Sequence, residues 1–342
     1  MRFMIYGAYG YTGKLIAAHA KKMGYSPILA GRSATKVKAL AERLDLPWQA
    51  FSLDNHDDII TALADVGVVI NCAGPFTQTA APMISACIAA KVHYLDITGE
   101  LDVFEYAHSQ HVAAQNAGII LCPGVGFDVI PTDCVAARLN ALVPNAVALK
   151  LGFDSRSRMS QGTAKTSIER LALGGAVRED GVIKNVPLAY KAKAIDFGDG
   201  EKYAMTIPWG DVATAYYTTE IPNIEVYIPA SPNLVKRLRR LNWFRWALGF
   251  RWVKNWLKKK IDQQPAGPND SEREKYPTYV WGEITGAKGE VESLRVKVKN
   301  GYTLTAYGAV DICQFIIHHP QTGGYYTPSR LYGAKLLDKY II

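Results

Sequence analysis

Tyr6-Gly7-Ala8-Tyr9-Gly10-Tyr11-Thr12-Gly13 follows the run Arg2-Phe3-Met4-Ile5 and precedes an apolar-periodic stretch, Lys14 to Met23. Glycines at this spacing let the backbone approach a dinucleotide pyrophosphate, and the helix start behind them offers N–H groups and a positive dipole end. Gly7, Tyr9, Gly10, Tyr11, Thr12 and Gly13 are assigned to that contact. The motif is not a P-loop, because five residues separate Gly7 from Gly13-Lys14 and Leu15 stands where Ser or Thr would hold magnesium. About 20 residues past the glycines, where an NAD site carries an acid for the ribose hydroxyl, the chain has Arg32, with Ser33 beside it and Lys36 one turn on. A guanidinium, a hydroxyl and an ammonium suit a 2′-phosphate, so NADP(H) is the expected cofactor.

Hydride chemistry also needs a proton donor and an electrophilic stabiliser beside the nicotinamide. Candidates lie just past three apolar runs, in Asn71-Cys72-Ala73-Gly74-Pro75-Phe76, Asp96-Ile97-Thr98-Gly99-Glu100 and Cys122-Pro123-Gly124-Val125-Gly126-Phe127-Asp128. Open α/β sheets bind ligands at the carboxyl ends of their strands. Ala73, Gly74, Pro75 and Phe76, with Thr98 and Gly99, are assigned to frame the ribose and nicotinamide. Glu100, Asp128 and Thr98 are the catalytic candidates, with Asp96 and Tyr94 nearby. Asp128 and Asp133 also fit as caps of a helix beginning near Thr132, which leaves the proton donor unassigned. None of the 19 tyrosines has Lys four residues later, so the Tyr-x-x-x-Lys signature of short-chain dehydrogenases is missing. Glu105, His108 and His111 share a helical face that reads as solvated, and no metal is expected.

The elements that must position these residues alternate up to about residue 122. Helices are expected at 34–44, 57–64, 79–90 and 101–117, and strands near 27–30, 49–53, 66–70, 92–97 and 119–121. That rhythm predicts a doubly wound, Rossmann-like parallel sheet over residues 1–130. Longer alternating strands at 146–153, 276–285 and 290–299 predict a second α+β domain of mainly antiparallel sheet over 131–327, covered by helices at 162–173 and 305–317. A closing helix within 328–342 is expected to return to the first domain, and 262–275 to form a polar loop.

The composition is that of an ordinary globular protein, 49% apolar and 20% charged over 342 residues. Five cysteines form no C-x-x-C pair, which predicts reduced thiols and a cytoplasmic protein. The first core strand occupies the N-terminus, so no secretory signal is expected, and no apolar run is long enough to span a membrane. The net charge is +8, yet Leu234 to Ile261 alone holds ten Lys or Arg and no acid, leaving 8 − 10 = −2 for the remainder. Leucines, phenylalanines and tryptophans recur there at three- and four-residue steps. A cleft-covering helix pair hinged at Gly249, docking on the inner face of an anionic membrane, and an acidic acyl carrier all fit this segment; nucleic acid is not an expected partner.

Taken together, these runs resemble the saccharopine dehydrogenase-like oxidoreductases, especially the trans-acting enoyl reductase branch. Tyr94 to Glu100, Pro123 to Asp133, Ser160 to Ala164, Gly301 to Ala306 and Gly324 to Ser329 extend the resemblance along the chain. It implies an NADP-binding domain, a substrate domain on a mixed sheet, and reduction of a double bond in a hydrophobic, lipid- or carrier-linked substrate. A saccharopine-type imine reductase and a nucleotide-binding, membrane-associated protein without turnover remain the alternatives. A second copy of the chain, in a homodimer, is a further candidate partner beside the substrate, the membrane surface and the acyl carrier.

Overall fold

The computed structural model describes residues 1–342, which form two compact units: Met1–Ile130 with Tyr302–Tyr332, and Pro131–Gly301 with Gly333–Ile342. No helix is long and apolar enough to cross a membrane.

The chain begins with β1 (Phe3–Tyr6), α1 (Tyr11–Lys22), β2 (Ile28–Gly31), α2 (Ala34–Leu44) and β3 (Trp48–Ala50). After α3 (His56–Ala62) come β4 (Val68–Asn71), α4 (Phe76–Ala90) and β5 (His93–Asp96). Two short helices, α5 (Leu101–Ser109) and α6 (His111–Ala117), replace the single expected helix and lead into β6 (Ile120–Cys122). Gln110 stands between them with φ −89° and ψ 6°, off the helical path.

The second unit opens with α7 (Ile130–Leu142), β7 (Ala146–Ser155) and α8 (Gln161–Leu171). Then follow β8 (Gly175–Glu179), β9 (Val182–Val186), β10 (Ala192–Asp196), β11 (Glu201–Thr206), α9 (Asp211–Thr219) and β12 (Asn223–Pro229). α10 (Pro232–Leu241), a 3-10 stretch (Asn242–Gly249), α11 (Arg251–Asp262) and α12 (Asp270–Lys275) precede the long hairpin of β13 (Thr278–Gly286) and β14 (Val291–Val298). The chain closes with α13 (Gly301–His318), β15 (Gly324–Tyr325), α14 (Pro328–Tyr332) and a 3-10 turn (Ala334–Lys339).

In the first unit seven strands run in the order β15-β6-β5-β4-β1-β2-β3, and every recorded pairing is parallel. Every residue of β1, β4 and β6 is buried, as expected of strands covered on both faces. The chain winds outward from β1 to β3 and then jumps to β4 on the other side of β1, so the topological switch point lies between the carboxyl ends of β1 and β4.

The second unit is built on an eight-stranded sheet whose main path is β10-β11-β12-β7-β13-β14. Only β12 with β7 is parallel among its pairings; the rest are antiparallel. Under it, a Cβ on Gly282 would lie 2.6 Å from Val135 and 2.7 Å from Leu139, so α7 packs directly on β13 where no side chain intervenes.

Three elements depart from expectation. The 301–318 helix, expected to cover the second sheet, clusters with the first unit from Tyr302 onward. The closing helix stops at Tyr332 because Gly333 turns the chain at φ +94°, and 333–342 clusters with the second unit. Within 262–275, Asn269 and Glu272 form a reciprocal capping box that starts α12 in place of a loop.

Candidate active site

The glycine turn joins β1 to α1 at the switch point. Gly7 has φ +76°, and a Cβ there would lie 2.7 Å from the Ala73 nitrogen, so only glycine lets the turn lie flat on the strip that follows β4. At Gly13 a Cβ would lie 2.5 Å from the Gly7 oxygen, which sets the close approach of α1 to the turn. Gly10 is the N-cap of α1, and no side chain caps it. A Cβ on Gly10 would lie 3.2 Å from the nearest atom, the Gly7 oxygen. This uncapped helix start behind a turn with glycine at both ends fits a pyrophosphate.

Beyond β2, Arg32 is exposed and Ser33 is the N-cap of α2, with a hydroxyl that makes no capping bond. The Tyr9 ring lies over Gly31, where a Cβ would stand 2.7 Å from it, and Lys36 Nζ sits 5.8 Å from the ring centroid. A hollow of about 430 Å³ opens there, lined by Tyr9, Lys14, Lys36, Ala39, Leu40 and Arg43. Lys14 and Arg43 thus add cations to the expected Arg32 and Lys36. Arg43 lies seven residues, two helical turns, beyond Lys36 in α2, a periodicity present in the sequence.

The strip after β4 is clamped at Ala73. Asn71 Oδ1 accepts from the Ala73 N–H at 3.0 Å, and the Thr79 hydroxyl donates to the Ala73 carbonyl at 2.6 Å. Asn71 Nδ2 also donates to Thr79 and, at 3.4 Å, to the Tyr94 hydroxyl. Gly74 and Pro75, joined by a cis peptide, lead into α4.

Glu100 supplies the cap that α4 lacks: one carboxylate oxygen accepts from the Phe76 N–H at 2.9 Å and the other from the Thr77 N–H at 2.8 Å. Its own N–H donates to the Thr98 hydroxyl at 3.0 Å, and the Thr98 N–H donates to Asp96 at 3.0 Å. Asp96 further accepts from the Gly124 N–H at 2.8 Å and the Tyr94 hydroxyl at 2.7 Å. Burial pushes the Asp96 carboxyl up to about 6, with these donors opposing the rise. Asp96, Thr98 and Glu100 are all buried and together tie the ends of β4, β5 and β6. Glu100 and Thr98, expected to reach a reacting ring, hold the backbone in place.

Asp128 differs from them. Its carboxylate packs on Gly99, where a Cβ would stand 2.8 Å from Oδ2, and part of its surface stays open. Burial lifts its pKa to about 7. The neighbouring Phe127 N–H donates to Thr305 Oγ1 of α13 at 2.9 Å, an anchor the sequence reading missed because Thr305 lies 178 residues away. Asp133, the other candidate cap, falls in the second unit and accepts from the Thr218 hydroxyl. His111 is engaged structurally, accepting from the Tyr325 N–H at 3.0 Å and so holding β15.

A parallel doubly wound sheet with a glycine turn at its switch point and cations beyond β2 defines a Rossmann-type dinucleotide-binding unit. Residues 3–122 match the saccharopine dehydrogenase NADP-binding domain. A trans-acting enoyl reductase of Mycobacterium tuberculosis is 33% identical over 141 residues, 38% of this chain and 33% of that protein. A saccharopine dehydrogenase-like oxidoreductase of Arabidopsis thaliana is 27% identical over 201 residues, 52% of this chain and 44% of that one. The matches thus span less than half the length of these relatives. In fold, a saccharopine dehydrogenase from Saccharomyces cerevisiae superimposes over 100% of this chain and 98% of its own with a TM-score of 0.66 at 14% identity. Residues 3–122 are thus a saccharopine dehydrogenase-type NADP-binding domain, in a chain that has the fold of saccharopine dehydrogenase.

Proposed function

We propose that the chain uses NADPH to reduce a carbon–carbon double bond conjugated to a carbonyl in a hydrophobic substrate, with Asp128 delivering the proton. The observation that carries this is the Asp128 carboxyl, lifted to about 7 beside Gly99 at the carboxyl edge of the same sheet that holds the glycine turn. The enoyl reductase relatives support the substrate class.

The glycine turn and the N-terminus of α1 would hold the pyrophosphate, and Arg32, Ser33 and Lys36 the 2′-phosphate. When bound, the cofactor supplies the hydride to one carbon of the double bond. Asp128 gives a proton to the other, ends as carboxylate and takes a proton back from solvent, for which its partly open surface leaves a route. Glu100 keeps Phe76 and Thr77 in place, so the strip Ala73 to Phe76 stays aligned along the carboxyl edge.

The test follows NADPH consumption with a long-chain enoyl thioester and, separately, with an amino acid and an oxo acid that condense to an imine. Consumption with the thioester, lost in Asp128→Asn while NADPH still binds, is the expected result. Turnover only with the amino and oxo acid pair, or with neither, overturns the proposal.

A further inference from the structure

Four of the seven tryptophans lie between residues 243 and 256, and all four are more than half exposed: Trp243 at 82%, Trp252 at 72%, Trp246 at 68% and Trp256 at 54%. Phe244 and Phe250 are exposed among them. Tryptophan is ordinarily one of the more buried residues, and large apolar side chains exposed together in one segment mark an interaction site.

Local anchoring accounts for the outward display. Val235 is buried against Ala189, Met205 and Ala230, and the Asn242 side chain bonds both the N–H and the carbonyl of Leu188, at 2.8 and 3.1 Å. Arg239 Nε donates to the Ala189 carbonyl at 3.0 Å. On α11, Lys254 and Lys258 both pair with Glu169 of α8, which turns that side of the helix inward. Trp252, Trp256, Lys259 and Lys260 are left exposed on the opposite side, with Trp252, Trp256 and Lys259 at the i, i+4, i+7 spacing of one helical face. Lys260 lies 3.8 Å from the Trp256 ring centroid.

We propose that this face, the 3-10 stretch 242–249 with the outer side of α11, docks the protein on an anionic lipid surface. Charge complementarity identifies the occupant. Lys236, Arg237, Arg240, Arg251 and Lys259 are exposed and make no ion pair, and no acidic residue interrupts Leu234 to Ile261. Indole rings favour the headgroup level, where their apolar body and N–H are both satisfied, and cations beside them meet lipid phosphates. A second copy of the chain would instead place two of these cationic faces against each other.

Flotation with vesicles of phosphatidylcholine alone and of phosphatidylcholine doped with phosphatidylglycerol tests the proposal on the full chain. The expected result is salt-sensitive binding to the doped vesicles with a blue shift of tryptophan emission. Changing Lys259→Gln with Lys260→Gln should weaken it roughly thirtyfold. Replacing the four exposed tryptophans by Ser should abolish it while NADPH binding, which reports the first unit, and the circular dichroism melt of the whole chain, which reports the second as well, stay intact. Equal binding to both vesicles, binding to neither, or concentration-dependent dimerisation that the Ser variant removes would each overturn it. So would capture of a soluble acyl carrier protein by this face from a chain that ignores vesicles.

Discussion

Asp96 and Asp128 are both pushed up by burial, but their surroundings give them different work. Asp96 is enclosed by three donors and fixes loops, whereas Asp128 keeps an open edge at a pKa of about 7. The acid form of Asp128 is therefore half populated near neutrality, and reduction should slow as the pH rises above about 7. Asp128→Asn should lower turnover by about 10² to 10⁴ and remove that pH dependence. Its linkage to stability has a definite sign. The folded value lies above the ordinary 3.8, so the stability it contributes is complete below about 3.8 and is lost as the pH climbs through about 7. Urea unfolding should find Asp128→Asn gaining on the parent protein near pH 8 and not near pH 4. Arg32 belongs to the same scale. Its replacement by Ala should remove about 1.5 to 3 kcal/mol of the preference for NADP over NAD, read by titrating both cofactors into both proteins. Equal affinities in the unsubstituted protein would refute the assignment.

The glycine turn makes a sharper prediction as an element than its residues do singly. Gly13→Val forces a branched carbon to within about 2.5 Å of the Gly7 oxygen, so the free protein itself should be destabilised. Gly10→Val meets only a 3.2 Å contact and should leave the circular dichroism spectrum unchanged while NADPH binding fails, because its side chain stands where a phosphate would. Both effects follow from local spacing, which is why this end of the site was legible in the sequence. The βαβ rhythm was legible for the same reason: β1 and β6 are continuous apolar runs, and β4 is one up to its last residue, Asn71. What escaped depended on contacts between distant residues. Nothing around Glu100 announces that its two oxygens will cap α4, since Phe76 and Thr77 lie more than twenty positions upstream. The stretch 175–229, which becomes five strands and a helix, also escaped. Its strands are short, and β9 and β10 are largely open to solvent, so their apolar alternation is faint.

At the scale of the whole molecule, the first unit is discontinuous, and α13 gives it Leu304, Val310, Ile312 and Ile316, all buried. At about 1.5 to 3 kcal/mol for each such side chain, their loss rivals the 5 to 15 kcal/mol by which a domain is ordinarily stable. A chain ended after Ile130 should therefore show no cooperative thermal transition and no NADPH binding, as circular dichroism and fluorescence titration would reveal. A sharp melt would mean that residues 1–130 are self-sufficient. The same discontinuity carries a consequence for how the protein is made. After Ile130 leaves the ribosome, all of Pro131–Gly301 must be translated before the rest of the nucleotide unit exists. At ~5–20 residues per second that wait lasts roughly 10 to 35 seconds. Until β15 emerges, β6 is an uncovered sheet edge, the kind of surface that recruits stray strands. The nascent chain thus passes through a prolonged, sticky adolescence, and its yield in a cell should depend on chaperones that shield that edge.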